Sequence, residues 1–138
     1  MHDLAIKNAV IYDGLGNPAV NGSVAVKDGV IVEIGADVGA ATETVDAGGL
    51  ALSPGIVDIH THFDAQLTWD PYATPSSSLG VTTVVIGNCG FTIAPCREED
   101  RDIVMRNLTH VEGMSLEAMQ AGIQWKFESF AEYMDMLT

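Results

Sequence analysis

Basic residues are scarce in this sequence: 6 Lys and Arg stand against 19 Asp and Glu in 138 residues, a formal net charge of −13. A surface so negative repels polyanions, which argues against nucleic-acid binding and against docking on an anionic membrane. Long apolar runs are missing too. No 18-residue apolar stretch exists to span a bilayer, and Met1-His2-Asp3-Leu4 lacks the basic start and apolar centre of a secretory leader. The two cysteines, Cys89 and Cys96, are too few for a disulfide framework. Together these shortages predict a cytoplasmic protein with reduced thiols. Internal repeats and low-complexity tracts are also absent.

What is present is enough apolar material for a core, 47% of residues, arranged in two styles. The first fifty or so residues read as strands and turns. Leu4–Tyr12 is rich in β-formers and ends at Asp13-Gly14-Leu15-Gly16-Asn17-Pro18. Gly22–Lys27 and Val30–Gly35 flank Asp28-Gly29, a strong hairpin signal, since a two-residue turn of that type requires positive φ at both positions. A short strand is expected near Thr44-Val45-Asp46, and Gly48-Gly49 reads as a flexible hinge.

From Ile56 onward strands and helices alternate, the pattern of a parallel α/β fold. Ile56, Val57 and Ile59 predict a short buried strand after the turn pair Pro54-Gly55. Thr74-Pro75 has the form of an N-cap followed by proline, with Gly80 at the helix end. Val81–Ile86 is a β-branched run of the kind buried on both faces. Glu98–Leu108 predicts a helix whose acidic start suits its dipole and whose apolar stripe is Ile103, Val104 and Leu108. Ser115–Met119 reads as a short helical turn, and Ser129-Phe130-Ala131-Glu132 as a capping box.

The chemistry concentrates where the first of these strands ends, at His60-Thr61-His62. Residues two apart on an extended chain face the same side, so both imidazoles address one point. A lone His-x-His is common by chance. A buried strand that delivers the pair to the carboxyl edge of a parallel sheet, where such folds bind ligands, makes a metal site the stronger reading. Cys89 follows the next strand between Asn88 and Gly90, on the same edge, and a thiolate is a strong zinc ligand. Its 27-residue separation from His62 suits a strand-helix-strand unit. Asp58, two residues before His60, is expected one layer below as a hydrogen-bond acceptor. Asp64 and Gln66 belong to the loop above, contacting substrate or bracing the ligands, and Asn88 is grouped with them. Cys96 is assigned to packing, His2 to a mobile terminus and His110 to a helix end. Trp69, Tyr72 and Trp125 are assigned to packing the exterior or loops. Nothing local distinguishes Glu112 from a solvated carboxylate.

The run Pro54-Gly55-Ile56-Val57-Asp58-Ile59-His60-Thr61-His62 resembles the first barrel strand of the amidohydrolase superfamily. His62–Gln66, Trp69-Asp70-Pro71, Thr74–Ser77 and Gly80–Gly90, the last ending in Gly-Asn-Cys-Gly, resemble one branch of it, the N-acyl-D-amino-acid deacylases or D-aminoacylases. The resemblance implies part of a small β-sandwich over residues 1–52, then, over 53–138, the first units of a TIM-type barrel that takes roughly 250 residues to close. It implies that Cys89 binds or bridges a primary zinc, with His60 and His62 at a second, weaker position, so one or two Zn2+ ions. Two further histidines and the general-base aspartate are expected beyond residue 138, so that this portion is inactive without the rest of the barrel. The implied reaction is metal-assisted hydrolysis of the amide of N-acyl-D-amino acids, small-molecule substrates with a non-peptide C–N bond. Two alternatives stay open. One is an amidohydrolase of other specificity, whether cyclic amidase, dihydroorotase-like, or restricted to D-glutamate or D-aspartate; the other is a noncatalytic, metal-binding fragment.

Overall fold

The computed structural model describes residues 1–138, which divide into two compact units, Met1–Pro54 and Gly55–Thr138. The first unit is a single mixed sheet. Strand β1 (His2–Ile11) lies inside it, antiparallel to β2 (Val20–Lys27), which pairs antiparallel with β3 (Val30–Gly35) at the edge. On its other side β1 pairs parallel with β4 (Ala41–Asp46) and, further along, with β5 (Ala51–Leu52). The anticipated hairpin is present, with Asp28 and Gly29 at φ 51° and 74°. Its Asp28 N–H donates to Asp3 Oδ2 at 2.7 Å, tying the turn back to β1.

Ala5 and Ala25 face each other across β1 and β2, wholly buried with Val38 packed on them. A second cluster joins Ala9, Ile11 and Val24. A sandwich needs two sheets, and residues 1–54 supply one. β3 therefore keeps Val30, Ile31, Val32 and Ile34 exposed. Gly48 and Gly49 form a tight turn instead of a hinge: both take positive φ, and Leu50 N–H closes it on Ala47 O at 2.9 Å. His2 is the first residue of β1, with Nε2 3.4 Å from Glu33 Oε2, and is not a loose end.

In the second unit β6 (Ile56–Asp58) and β7 (Val81–Val84) run parallel, as a strand-crossover-strand unit requires. Three expectations fail here. Val81–Ile86, read as a strand buried on both faces, ends at Val84 and keeps Thr82, Thr83 and Val85 exposed, because only one strand lies beside it in this unit. Ile56, Val57 and Ile59 are 56%, 55% and 74% exposed, because no layer within this unit covers that face of a two-stranded sheet. The helix expected after Thr74 shrinks to a 3-10 turn at Ser77–Leu79, because the Thr74 hydroxyl bonds Asp70 and leaves the turn without a side-chain cap. Gly80 does end that turn in the left-handed region, at φ 95°.

Three helices follow: α1 (Arg101–Glu112), α2 (Leu116–Gly122) and α3 (Phe130–Met136). Met105 and Leu108 of α1, Met119 of α2 and Tyr133 of α3 pack with Ile93, Ile123 and Phe127 into the main core. The inward stripe of α1 is thus set by Met105 and Leu108, while Ile103 is 60% exposed. Ser115 caps α2 and becomes the start of a longer helix than expected, accepting from Ala118 N–H at 3.1 Å. The capping box at α3 forms as read, with Glu132 N–H on Ser129 Oγ and Ser129 N–H on Glu132 Oε2. The Ser129 N–H first, then the Glu128 N–H and the Ser129 hydroxyl, all donating to Glu132 Oε2, hold that carboxyl down at about 2. Cys96 is buried, which raises its thiol, in keeping with a packing role. Trp125 packs at a tilt against Phe127 beneath the Arg101 guanidinium, and Trp69 and Tyr72 are exposed.

Candidate metal centre

Parallel strands end on a common edge, so the residues following β6 and β7 are brought together by topology. The chain leaves β6 through a bend at Ile59 and His60, not as further strand. Thr61 then stitches the two exits. Its N–H and its hydroxyl both donate to Val85 O, at 3.0 and 2.9 Å, and the side chain is buried. With Thr61 turned inward, His60 and His62 turn the other way together. Their rings stack with centroids 5.5 Å apart and planes 18° from parallel. The same-side expectation therefore holds although neither residue is in a strand.

Cys89 reaches the pair from a turn with an unusual backbone. Gly87, Cys89 and Gly90 all take positive φ, at 79°, 58° and 74°. For cysteine this left-handed conformation costs roughly 1–2 kcal/mol. The turn is braced from both sides. Asn88 Nδ2 donates to Val85 O at 2.9 Å and to Thr61 O at 3.2 Å, and Gly87 N–H donates to Asp64 Oδ2 at 3.0 Å. Its result is to place Cys89 Sγ 3.3 Å from His60 Nε2, with a ligand atom of His62 in the same group and all three within 4.8 Å.

Those distances suit a metal. Zinc bonds of about 2.3 Å to sulfur and about 2.0 Å to nitrogen at a tetrahedral angle imply a sulfur-to-nitrogen edge of roughly 3.5 Å. The Cys89 to His60 contact matches that edge. The wider 4.8 Å span leaves His62 either to close by about an ångström or to serve a neighbouring position. The donor set, two imidazoles and a thiol, is of the borderline-soft type that zinc favours.

Asp64 is 1% exposed and acts from beneath. Besides the bond to Gly87, its backbone carbonyl accepts from Tyr133 Oη at 2.8 Å, while its Oδ1 has no partner. Burial, reinforced by Asp64, pushes the Tyr133 phenol far above its ordinary value and keeps it a neutral donor. Asp58 Oδ1 accepts the His60 backbone N–H at 3.2 Å, so it orients the main chain of His60 and not its ring. Gln66 is engaged elsewhere. Its Nε2 donates to Asp70 Oδ2 and Thr74 O, at 3.0 and 2.7 Å, locking the 66–74 loop. Thr74 first and Gln66 second hold the Asp70 carboxyl at about 2.

Glu112 enters the site unannounced: its Oε1 lies 3.1 Å from His62 Nδ1, at the end of α1. The approach is short in distance but bent in angle, an electrostatic contact more than a finished hydrogen bond. The Phe91 ring also neighbours His62, with centroids 5.9 Å apart and planes tilted by 33°. The signal that locates Glu112 is its helical spacing from Leu108 and Met105, once the stripe of α1 is drawn through those residues. His110, at the exposed last turn of α1, stays out of the group.

A pair of parallel strands presenting imidazoles and a thiol at its carboxyl edge defines an α/β protein with a cluster of side chains that could hold a metal ion. A family model described as the amidohydrolase family matches residues 43–138, and the chain belongs to that family. N-acyl-D-aspartate deacylase of Alcaligenes xylosoxydans xylosoxydans is 47% identical over 94 residues, 67% of this chain and 19% of that protein. The crystal structure of N-acyl-D-glutamate deacylase from Bordetella bronchiseptica, complexed with zinc and a phosphonate inhibitor, is 39% identical. It superposes with a TM-score of 0.64 over 69% of this chain and 20% of its own. The crystal structure of D-aminoacylase, 30% identical, covers 99% of this chain and 27% of its own at a TM-score of 0.79. The chain thus spans about a fifth to a quarter of the proteins it matches.

Proposed function

We propose that this chain supplies the N-terminal portion of a zinc-dependent hydrolase that removes the acyl group from N-acyl-D-amino acids. Residues 1–52 are a β-sandwich portion and 53–138 the opening units of a TIM-type barrel, in a cytoplasmic enzyme whose later units complete the site. The observation that carries the reading is the 3.3 Å approach of Cys89 Sγ to His60 Nε2, with His62 beside them. The three relatives described above, two deacylases and an aminoacylase by name, support the substrate class.

His60, His62 and Cys89 would hold the metal. Zinc supplies Lewis acidity at neutral pH, polarising an acyl carbonyl and making water a competent nucleophile. The work of this chain is to hold the donors in place beforehand. Asp64 fixes Gly87, Asn88 ties the turn to both strand exits, and Thr61 sets which way the imidazoles face. A cluster ordered in this way needs little further reorganisation to bind. The proton-accepting aspartate and the groups that select the amino-acid side chain come from later barrel strands.

The test has two readouts. Elemental analysis of the purified chain is expected to give bound zinc that His60→Ala and Cys89→Ala lose, and the protein encoded by the gene is expected to hydrolyse N-acetyl-D-amino acids. Undiminished zinc in both variants would refute the ligand set, and inertness toward every N-acyl-D-amino acid tried would refute the substrate class.

A further inference from the structure

We infer that Glu112 is the positioning residue for His62: its carboxylate engages Nδ1–H, fixing the ring's tautomer and leaving Nε2 as the nitrogen offered to metal. This rests on the reading of His62 as a metal ligand.

Four observations converge. First, Oε1 stands 3.1 Å from Nδ1, and both side chains are mostly covered, 16% and 23% exposed. Nδ1 has no completed hydrogen bond to any group, and the Glu112 carboxylate is the acceptor that stands beside it. Second, Glu112 is on the wrong face of α1 for a solvated carboxylate. Residues 101, 105, 108 and 112 fall on one side of a helix, and Met105 and Leu108 are buried there at 7% and 1% exposure. An apolar residue would continue that stripe, yet the position holds an acid.

Third, Glu112 ends the helix just before Gly113, which closes it at φ 65°. Carbonyl oxygens gather there, and a carboxylate among them is unfavourable for the helix itself. The acids at the other end, Glu98, Glu99, Asp100 and Asp102, sit where the dipole welcomes them. A placement that opposes helix stability needs another reason, and His62 is in contact with it. Fourth, the His62 ring has the His60 and Phe91 rings as neighbours, with centroids 5.5 and 5.9 Å away. These neighbours limit its tilt but do not distinguish its two edges. A half-turn of the ring exchanges a nitrogen for a carbon, and only a polar partner on one side resolves the choice. Glu112 is that partner.

The experiment uses the 138-residue chain labelled with 15N. Long-range 1H–15N correlation reads the His62 tautomer without metal, and competition with a chromophoric chelator reads zinc affinity. Glu112→Ala is expected to shift His62 away from the Nδ1–H tautomer and to weaken zinc binding by about 10- to 100-fold. Glu112→Gln, which keeps an acceptor of the same shape, is expected to preserve the tautomer and lose less affinity. The exposed Glu117→Gln serves as a control with unchanged affinity. If zinc binding and tautomer are the same in Glu112→Ala as in the native chain, the inference is overturned. Should Glu112→Ala not fold, Glu112→Gln decides: a several-fold loss of affinity supports the inference, and none overturns it. Failure of the native chain to bind zinc would overturn the ligand reading instead, and the tautomer of metal-free His62 would still decide the role of Glu112.

Discussion

Cys89 occupies a left-handed backbone conformation that cysteine adopts only at a cost, and the gain is the direction of its sulfur. Glycine in its place relieves strain of roughly 1–2 kcal/mol, part of which the greater freedom of the unfolded chain cancels. Cys89→Gly is therefore expected to melt at or slightly above the native temperature while losing zinc, measured by thermal denaturation and elemental analysis. A clear drop in stability would mean that the sulfur serves packing. Asp64 behaves in the opposite way. Asp64→Ala removes the charge-assisted, part-buried bond to the Gly87 N–H and is expected to cost about 1–3 kcal/mol in denaturant titration, with zinc affinity falling as the turn loosens. The histidine pair and Cys89 were legible from residue type and spacing. Glu112 was not, because a single carboxylate near a helix end looks the same whether it faces solvent or a ring.

At the level of elements, β6 and β7 approach so closely that Gly55 admits no side chain. A Cβ built there would lie 2.7 Å from Thr82 Cβ, on a stiff β-branched residue. Gly55→Ala is expected to destabilise the chain by about 1–3 kcal/mol through displacement of that strand pair, read by chemical denaturation. A second prediction concerns acid. Glu132 has its folded pKa lowered to about 2 from an ordinary 4.5, so its capping contribution is complete above the unfolded value and is lost as pH falls toward the folded one. Glu132→Gln is expected to be less stable than the native chain near neutrality, and the gap should close between about pH 5 and about pH 2. A gap independent of pH would assign the capping to shape alone. Hairpin and capping box were readable because their signals are local, a two-residue turn and a four-residue motif. The helix after Thr74 was misread because the threonine hydroxyl has a competing acceptor in Asp70. Of the expected α1 stripe, Leu108 is buried and Val104 packs on the core, while Met105 replaces the exposed Ile103, because Ile103, Val104 and Met105 are consecutive apolar residues and only packing selects among them.

Across the whole molecule, a net charge of −13 opposes an unusual amount of exposed apolar strand. β3 is an edge strand with Val30, Ile31, Val32 and Ile34 in solvent, the kind of surface that pairs with a copy of itself. Mutual repulsion keeps such copies apart at low ionic strength, and salt screens it within a Debye length of about 10 Å at 0.1 M. Association measured by light scattering is expected to increase with salt. Ile31→Lys should suppress it even though that change reduces the net charge, which separates strand pairing from simple repulsion. No helix is long and apolar enough to cross a membrane.

The order of strands and helices, the chemical identity of the site and the acidic surface were all determined by the sequence, since each depends on residue type and short spacing. Tertiary structure decided what depends on which neighbours arrive. It left Ile56, Val57 and Ile59 exposed where their composition predicted burial, because burial belongs to a face and its covering layer, and none is built within residues 55–138. It also turned Glu112 onto His62 across 50 residues of chain, a contact that exists only because the α1 stripe packs on Met105 and Leu108.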